Sequence, residues 1–104
     1  MIVAIAATST DTEAEVSMHG ARAPYYLFFD TESGFSEALS NPVSQAERAA
    51  GSQAAAFLIS KGVDKIVAGR FGSKFRIELE DGGIECIEKI GKITEVVTGL
   101  GVTV

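Results

Sequence analysis

Four side chains suited to a negatively charged ligand occur in two stretches of the sequence. His19 and Arg22 lie in a long polar stretch, and Arg70 and Lys74 lie in the glycine-containing stretch 69–74. Guanidinium and ammonium groups pair with anions, and imidazole ligates iron, zinc, nickel and copper. If the two stretches meet in the fold, these residue types predict an anion site, in which His19 is either a single metal ligand or only an exposed loop residue.

Glycines accompany the basic residues of the second stretch. Gly69 and Gly72 would let the backbone approach a ligand closely, because glycine has no Cβ atom. Free amides at the start of a following helix would also favour an anion. The alternative is that the basic side chains only pair with surface carboxylates, and the sequence leaves both interpretations open.

The overall charge has the opposite sign to this basic group. The chain has 104 residues, with 9 Lys and Arg against 14 Asp and Glu, and a net charge of −5. This balance argues against a duplex nucleic-acid partner. No apolar run approaches the ~20 residues of a membrane span, and no basic residue precedes the apolar start as in a secretory signal. We therefore expect one cytoplasmic domain, residues 1–104, without a nucleic-acid or membrane partner.

Short apolar runs predict the strands of an α/β domain. Residues 1–7 and 63–68 resemble buried strands, residues 24–30 and 35–39 predict a hairpin, and residues 84–87 predict a fifth, short strand. A helix followed by a buried strand is half of a βαβ unit, so the strand at 63–68 should run parallel to the first. The strand at 24–30 should run antiparallel to the others.

Three helices are predicted between and after these strands. Ser44-Gln-Ala-Glu47 fits a capping box, so the first helix should begin there and end at Gly62. Residues 73–81 have apolar residues at helical spacing, whereas Phe75–Glu80 alternates like a strand, and the helix fits the alternation of strands and helices better. Apolar residues from 93 to 100 predict a last helix. The expected architecture is an α/β sandwich on a five-stranded mixed sheet.

This architecture would bring the two basic stretches together. In open α/β sheets, ligands bind beyond the carboxyl ends of strands, where neighbouring connections diverge. The strand at 1–7 leads into residues 8–23, and the strand at 63–68 leads into residues 69–74. If these strands are neighbours, both connections lie at one edge of the sheet.

Other chemistry has weaker support in the sequence. Cys86 lies in an apolar strand and is expected to be a small buried hydrophobe. A metal-dependent nuclease needs clustered carboxylates at strand ends, and the first strand carries none. His19 is the single histidine, and no nucleophile with an oriented base is evident. We therefore expect a binding protein and not an enzyme.

Three stretches resemble the dinitrogenase iron–molybdenum cofactor biosynthesis family, in the family's order. Ser17-Met-His-Gly-Ala-Arg-Ala-Pro-Tyr-Tyr is similar to Ser-x-His-Phe-Gly-Arg-Ala-x-Tyr-Phe of that family. Gly51-Ser-Gln-Ala-Ala55 is similar to Gly-x-Gln-Ala-Ala, and residues 62–72 are similar to Gly-Val-Asp-x-Val-Ile-x-Gly-x-x-Gly. The sequence departs from the family pattern at Gly20-Ala21, where Phe-Gly is preferred, and at Ser73-Lys74, where a proline often follows the glycine.

The resemblance implies a ribonuclease H-like, three-layer fold and transient, non-catalytic binding of iron–molybdenum cofactor or an iron–sulfur precursor. A preformed cluster brings its own sulfides, so the protein need offer only one or two ligands and positive charge. His19 and Arg22 fall on the family's motif histidine and arginine. The candidate cofactor-binding residues are His19, Arg22, Gly69, Arg70, Gly72 and Lys74.

The sequence leaves partners and a second function open. A carrier implies cluster donor or acceptor proteins, and a homodimer could place two His19 or two Cys86 side chains on one ligand. The alternative is a metal-free module that binds a phosphate- or carboxylate-bearing small molecule at the same edge of the sheet.

Overall fold

One mixed sheet of five strands forms the centre of the molecule. The computed structural model describes residues 1–102, and the strands in chain order are β1 (Ile2–Ala7), β2 (Tyr25–Asp30), β3 (Gly34–Ser40), β4 (Lys65–Ala68) and β5 (Glu85–Glu88). Their spatial order is β3-β2-β1-β4-β5. β1 pairs with β2 antiparallel and with β4 parallel, and β5 is parallel to β4. The predicted mixed sheet with an antiparallel second strand is confirmed.

Three helices cover the two faces of this sheet. They are α1 (Ala50–Ser60), α2 (Ser73–Asp81) and α3 (Ile93–Gly99). One core cluster joins α1 and α2 to one face of the sheet, and a second cluster joins α3 to the other face. Within residues 1–102, none of the helices has the length and apolar character needed to span a bilayer.

The alternation of side chains along β1 explains both core clusters. Val3 and Ile5 face α3, whereas Ala4 and Ala6 face α1 and α2. The side chains of β1 on that second face are small, and Ala54 of α1 is fully buried in the same cluster. Because β1 is buried on both faces, it reads as a continuous apolar run and not as an alternating pattern.

The ambiguous stretch after β4 is helical, as preferred from the sequence. Phe75 and Leu79 are buried one helical turn apart on α2, and both belong to the cluster shared with α1. The strand-like alternation of residues 75–80 therefore does not form a strand. Burial of Phe75 and Leu79, four residues apart, favours the helix.

The first helix begins at Ala50, so the predicted start at the capping box Ser44–Glu47 is wrong. The residue before the helix, Ala49, has a left-handed backbone with φ of 57°, and no side chain caps this end. The predicted end is close to the observed one, since α1 stops at Ser60 and Gly62 follows with φ of 71°.

Hydrogen bonds within a local turn and one from a distant residue hold the stretch before α1. The Asn41 side-chain oxygen accepts from the Val43 amide at 3.1 Å, and the Asn41 carbonyl accepts from the Ser44 amide at 3.3 Å. The Arg22 guanidinium donates to the Ala46 carbonyl. The Arg22 contact occupies the Ala46 carbonyl, which a helix starting at Ser44 would pair with the Ala50 amide, and the turn at Asn41–Ser44 replaces the predicted cap.

Replacing Ser44 with alanine tests this correction. Because the Ser44 side chain caps no helix, Ser44→Ala should change the free energy of unfolding by less than ~0.5 kcal/mol, whereas loss of a true N-cap costs about 0.5–2 kcal/mol. Urea denaturation measures the change. Asn41→Ala is the matched comparison, since it removes hydrogen bonds to buried backbone groups and should cost more than about 2 kcal/mol. A larger loss from Ser44→Ala than from Asn41→Ala would contradict this account.

Candidate functional site

Two chain connections leave neighbouring parallel strands at the same edge of the sheet. The first contains residues 17–23 after β1, here called the His19 loop. The second contains residues 69–72 between β4 and α2, here called the Arg70 connection. Since β1 and β4 are adjacent and parallel, both begin at the carboxyl end of the sheet, as the sequence predicts.

Backbone hydrogen bonds hold these two connections against each other. The Ser17 amide donates to the Ala6 carbonyl at 2.7 Å, and the Gly69 amide donates to the Ser17 carbonyl at 2.9 Å. The Gly20 amide donates to the Arg70 carbonyl at 3.2 Å. The His19 loop thereby continues the pairing of the sheet beyond its last residues, with His19 opposite Arg70.

Two glycines make this close approach possible. A Cβ atom on Gly69 would lie 2.8 Å from both Cα and Sδ of Met18, and one on Gly20 would lie 2.8 Å from the Phe75 ring and 3.2 Å from the Arg70 carbonyl. Real Cβ atoms do not come as near to a neighbouring backbone as one on Gly69 would come to Met18. Position 69 therefore needs glycine for packing between the two connections, whereas a side chain at Gly20 would require the Phe75 ring to shift.

A cavity of about 590 Å³ opens where the two connections meet the starts of α1 and α2. This volume lies within the range of small-molecule sites. Its lining includes the side chains of His19, Arg22, Arg70 and Lys74 and, among residues 1–102, no carboxylate. All four side chains are exposed, so a ligand could reach them directly from solvent.

The structure thus brings five of the six candidate residues together. His19, Arg22, Arg70, Gly72 and Lys74 line the cavity. A Cβ on Gly72 would meet no atom within 4 Å, so the backbone there is open to a ligand. The sixth, Gly69, is not part of the lining and packs against Met18.

The basic residues of the cavity differ from those used in surface ion pairs. Within residues 1–102, the ion pairs join Lys65 to Glu85, and Arg76 to Glu80 and Glu88. None of these pairs includes a cation of the cavity. Carboxylate pairing therefore does not account for the basic residues of the lining in the described part of the chain.

Two helix starts add backbone donors to the same cavity. Residues 49–51 at the start of α1 and 72–75 at the start of α2 belong to the lining, and neither start has a side-chain cap. The first amides of a helix have no partner within the helix, and this end carries partial positive charge. A Cβ on Gly51 would lie 3.3 Å from the Phe75 Cβ, so glycine lets the two helix starts meet.

Sequence reasoning missed the contribution of α1, because the capping-box prediction placed its start too early. Gly51, within the Gly-x-Gln-Ala-Ala stretch, was a signal that could have corrected this prediction. A glycine there indicates that another part of the chain packs closely against it, and that the position lies near a helix end.

Buried polar side chains support the His19 loop from below. The Tyr26 hydroxyl donates to the Gly20 carbonyl at 2.6 Å. The Asn41 amide donates to the Ala21 and Ala23 carbonyls at 2.8 and 2.9 Å. Tyr26 reads as an ordinary core aromatic in the sequence and Asn41 as a strand end, so neither was a candidate.

Cys86 lies in β5 and not at the cavity. Its side chain is half-buried and packs against the cluster that contains α1 and α2. Burial raises the pKa of the Cys86 thiol, against the opposing effect of nearby Arg76. In the part of the chain that the structure describes, no three His, Cys, Asp or Glu side chains gather as a metal site.

A family model described as dinitrogenase iron-molybdenum cofactor matches residues 1–101. The chain belongs to this family. The family is associated with biosynthesis and binding of the iron–molybdenum cofactor, which gives the basic cavity of this member a chemical context. The resemblance seen in the sequence motifs is thereby confirmed.

Solved structures share the fold of this family member. A protein from Thermotoga, described provisionally as NifB, is 30% identical with a TM-score of 0.81, covering 95% of this chain and 85% of its own. The apo form of the orange protein from Desulfovibrio gigas is 22% identical with a TM-score of 0.85, covering 98% of this chain and 90% of its own. The second likeness concerns the fold alone. Among curated proteins, none matches this chain.

Replacing Gly69 with alanine tests the packing of the two connections. The added Cβ meets the backbone of Met18, so Gly69→Ala should lower the free energy of unfolding by about 1–3 kcal/mol. Gly99→Ala is the control, because its added Cβ meets no atom within 4 Å, and alanine in α3 should change stability by no more than about 1 kcal/mol, in the favourable direction. Chemical denaturation of both variants decides the point. Equal stability of Gly69→Ala and the parent chain would contradict the described contact.

Proposed function

We propose that this chain is a non-catalytic carrier for an anionic, iron–sulfur-type metallocluster, either iron–molybdenum cofactor or a precursor of it. The observation that carries the proposal is the cavity lining. In a protein with a net charge of −5, one cavity combines an imidazole with three cations and, among residues 1–102, no carboxylate. Membership of the cofactor family supports a cluster as the cargo.

His19 supplies the metal–ligand bond in this proposal. Imidazole nitrogen ligates iron and other transition metals, and His19 lies exposed at the cavity beside Arg70. A preformed cluster already carries its bridging sulfides, so a single protein ligand completes one metal position. The cargo is therefore held at one point by coordination and elsewhere by weaker contacts.

Positive charge and backbone amides supply those weaker contacts. Arg22, Arg70 and Lys74 offset the negative charge of the cluster, and their attraction for it is stronger at low ionic strength. The free amides at the starts of α1 and α2 can donate to cluster sulfides. Gly72, whose surroundings are open, lets the cargo approach the backbone.

Transient binding follows from the small number of strong contacts. One coordination bond at an exposed residue can be exchanged for a ligand of another protein, whereas a buried site with several ligands holds its metal for long times. We therefore propose cluster donor and acceptor proteins as partners in the cytoplasm. The proposal also keeps the ribonuclease H-like assignment of the fold, which the single antiparallel strand β2 supports.

Anaerobic titration with isolated iron–molybdenum cofactor, or with its iron–sulfur precursor, tests the proposal. Bound iron and molybdenum are measured after gel filtration. We expect about one cluster per chain, a loss of at least about tenfold in affinity for His19→Ala, and a loss of roughly threefold to tenfold, steeper at low salt, for Arg70→Gln. Lys61→Gln removes the same charge just beyond the far end of α1 and should bind as the parent chain does.

Three outcomes would contradict parts of this proposal. Absence of binding by the parent chain would remove the carrier function. Equal binding by His19→Ala would remove the proposed metal ligand, and equal effects of Arg70→Gln and Lys61→Gln would remove the role of the cavity cations. A melting temperature that rises with phosphate or carboxylate anions but not with cluster would favour the metal-free alternative.

A further inference from the structure

Two buried polar side chains meet directly beneath the His19 loop. Tyr26 in β2 has 0% of its surface exposed, and Asn41, just after β3, has 4% exposed. The Asn41 amide nitrogen lies 3.4 Å from the Tyr26 hydroxyl. Polar groups at this depth are costly unless they are hydrogen-bonded, so their partners indicate what they hold in place.

Every strong donor of this pair points at the backbone of the loop. A phenol has one hydrogen and a primary amide has two, and these three hydrogens match the carbonyls of Gly20, Ala21 and Ala23 at 2.6, 2.8 and 2.9 Å. These carbonyls belong to the residues between and around His19 and Arg22. The two side chains of the site therefore sit on peptide units that are fixed from below.

Both peptide units that flank the Gly20 Cα atom are hydrogen-bonded. The Gly20 amide donates to the Arg70 carbonyl, and the Gly20 carbonyl accepts from Tyr26. Without the phenol, this carbonyl would be left buried without a strong partner or would rotate toward water. This carbonyl belongs to the Gly20–Ala21 peptide unit, and rotation of that unit about the Gly20 Cα atom relaxes the constraint on the preceding His19–Gly20 peptide unit.

The Tyr26 hydroxyl stays protonated near neutral pH. Burial raises the pKa of the Tyr26 phenol well above its ordinary value, because the charged phenolate is disfavoured away from water. The hydrogen bond to Gly20 is therefore available at every pH at which the fold itself persists near neutrality.

We propose that Tyr26 and Asn41 are positioning residues, which hold His19 and Arg22 toward the cavity by fixing the carbonyls of the intervening loop. The effect on cluster binding rests on the proposed function. The fixing of the loop backbone by Tyr26 and Asn41 can be measured without a cluster. Neither residue touches the cargo, and both act through the backbone.

Amide hydrogen exchange of Tyr26→Phe, followed by NMR, is the first arm of the test. Phenylalanine keeps the shape of the buried ring and removes only the donor. We expect exchange of the Gly20 and Gly69 amides to become about tenfold faster, as loss of one hydrogen bond predicts. The amides of the β1–β2 ladder should keep their rates relative to the parent chain.

Cluster affinity is the second arm, measured by anaerobic titration with isolated iron–molybdenum cofactor. Tyr26→Phe should raise the Kd about tenfold, with an altered EPR spectrum of the bound cluster, because the imidazole is less well placed. Tyr25→Phe, on the opposite face of the same strand, should bind as the parent chain does. Ile93→Val, a core change under the other face, controls for a general loss of stability.

The outcomes separate this inference from the carrier proposal. If the parent chain binds no cluster, the carrier function fails, and the exchange rates still decide whether Tyr26 fixes the loop. Unchanged exchange at Gly20, unchanged cluster affinity, or an equal loss of affinity in Ile93→Val would overturn the positioning role. Should Tyr26→Phe not fold, Asn41→Ser, which shortens the second donor, is measured in the same two assays with the same expected directions.

Discussion

The backbone hydrogen bonds between the His19 loop and the Arg70 connection are the constraint on which the rest of the structure depends. A chain as long as the β1–β2 connection loses considerable entropy when it is fixed. Pairing of Ser17 and Gly20 with the ends of β1 and β4 fixes it beside a rigid sheet. Without that pairing, the imidazole and the cations would not face the same cavity.

Concentrating like charges has a cost that the remainder of the molecule offsets. Arg22, Arg70 and Lys74 repel one another, and two helix starts add partial positive charge. The surrounding acidic surface, with a net charge of −5 for the chain, lowers that repulsion at long range. An anionic cargo would remove the remaining local repulsion among these cations. Relief of that repulsion would contribute favourably to the free energy of binding.

Features that depend on local pattern were predictable, and features that depend on distant partners were not. The direction of β2 and the helical state of α2 follow from hydrophobic periodicity and connection rules, whereas the adjacency of β1 and β4 was a condition that only the structure supplies. The predicted start of α1 was wrong, because Arg22, 24 residues away, binds the Ala46 carbonyl ahead of the observed start. Gly69 was expected to approach a ligand, whereas the structure places it against Met18. The partner of the Tyr26 hydroxyl could not be inferred from sequence, since nothing local distinguishes it from other core aromatics.

The single histidine of the chain allows one direct measurement of the central claim. Protein labelled with ¹⁵N only at histidine is loaded anaerobically with iron–molybdenum cofactor, and electron–nuclear double resonance is recorded on the paramagnetic cluster. Coordination by His19 predicts a ¹⁵N hyperfine coupling large enough for a directly bound nitrogen. A loaded protein whose spectrum lacks any ¹⁵N coupling would contradict the claim that His19 holds the cargo.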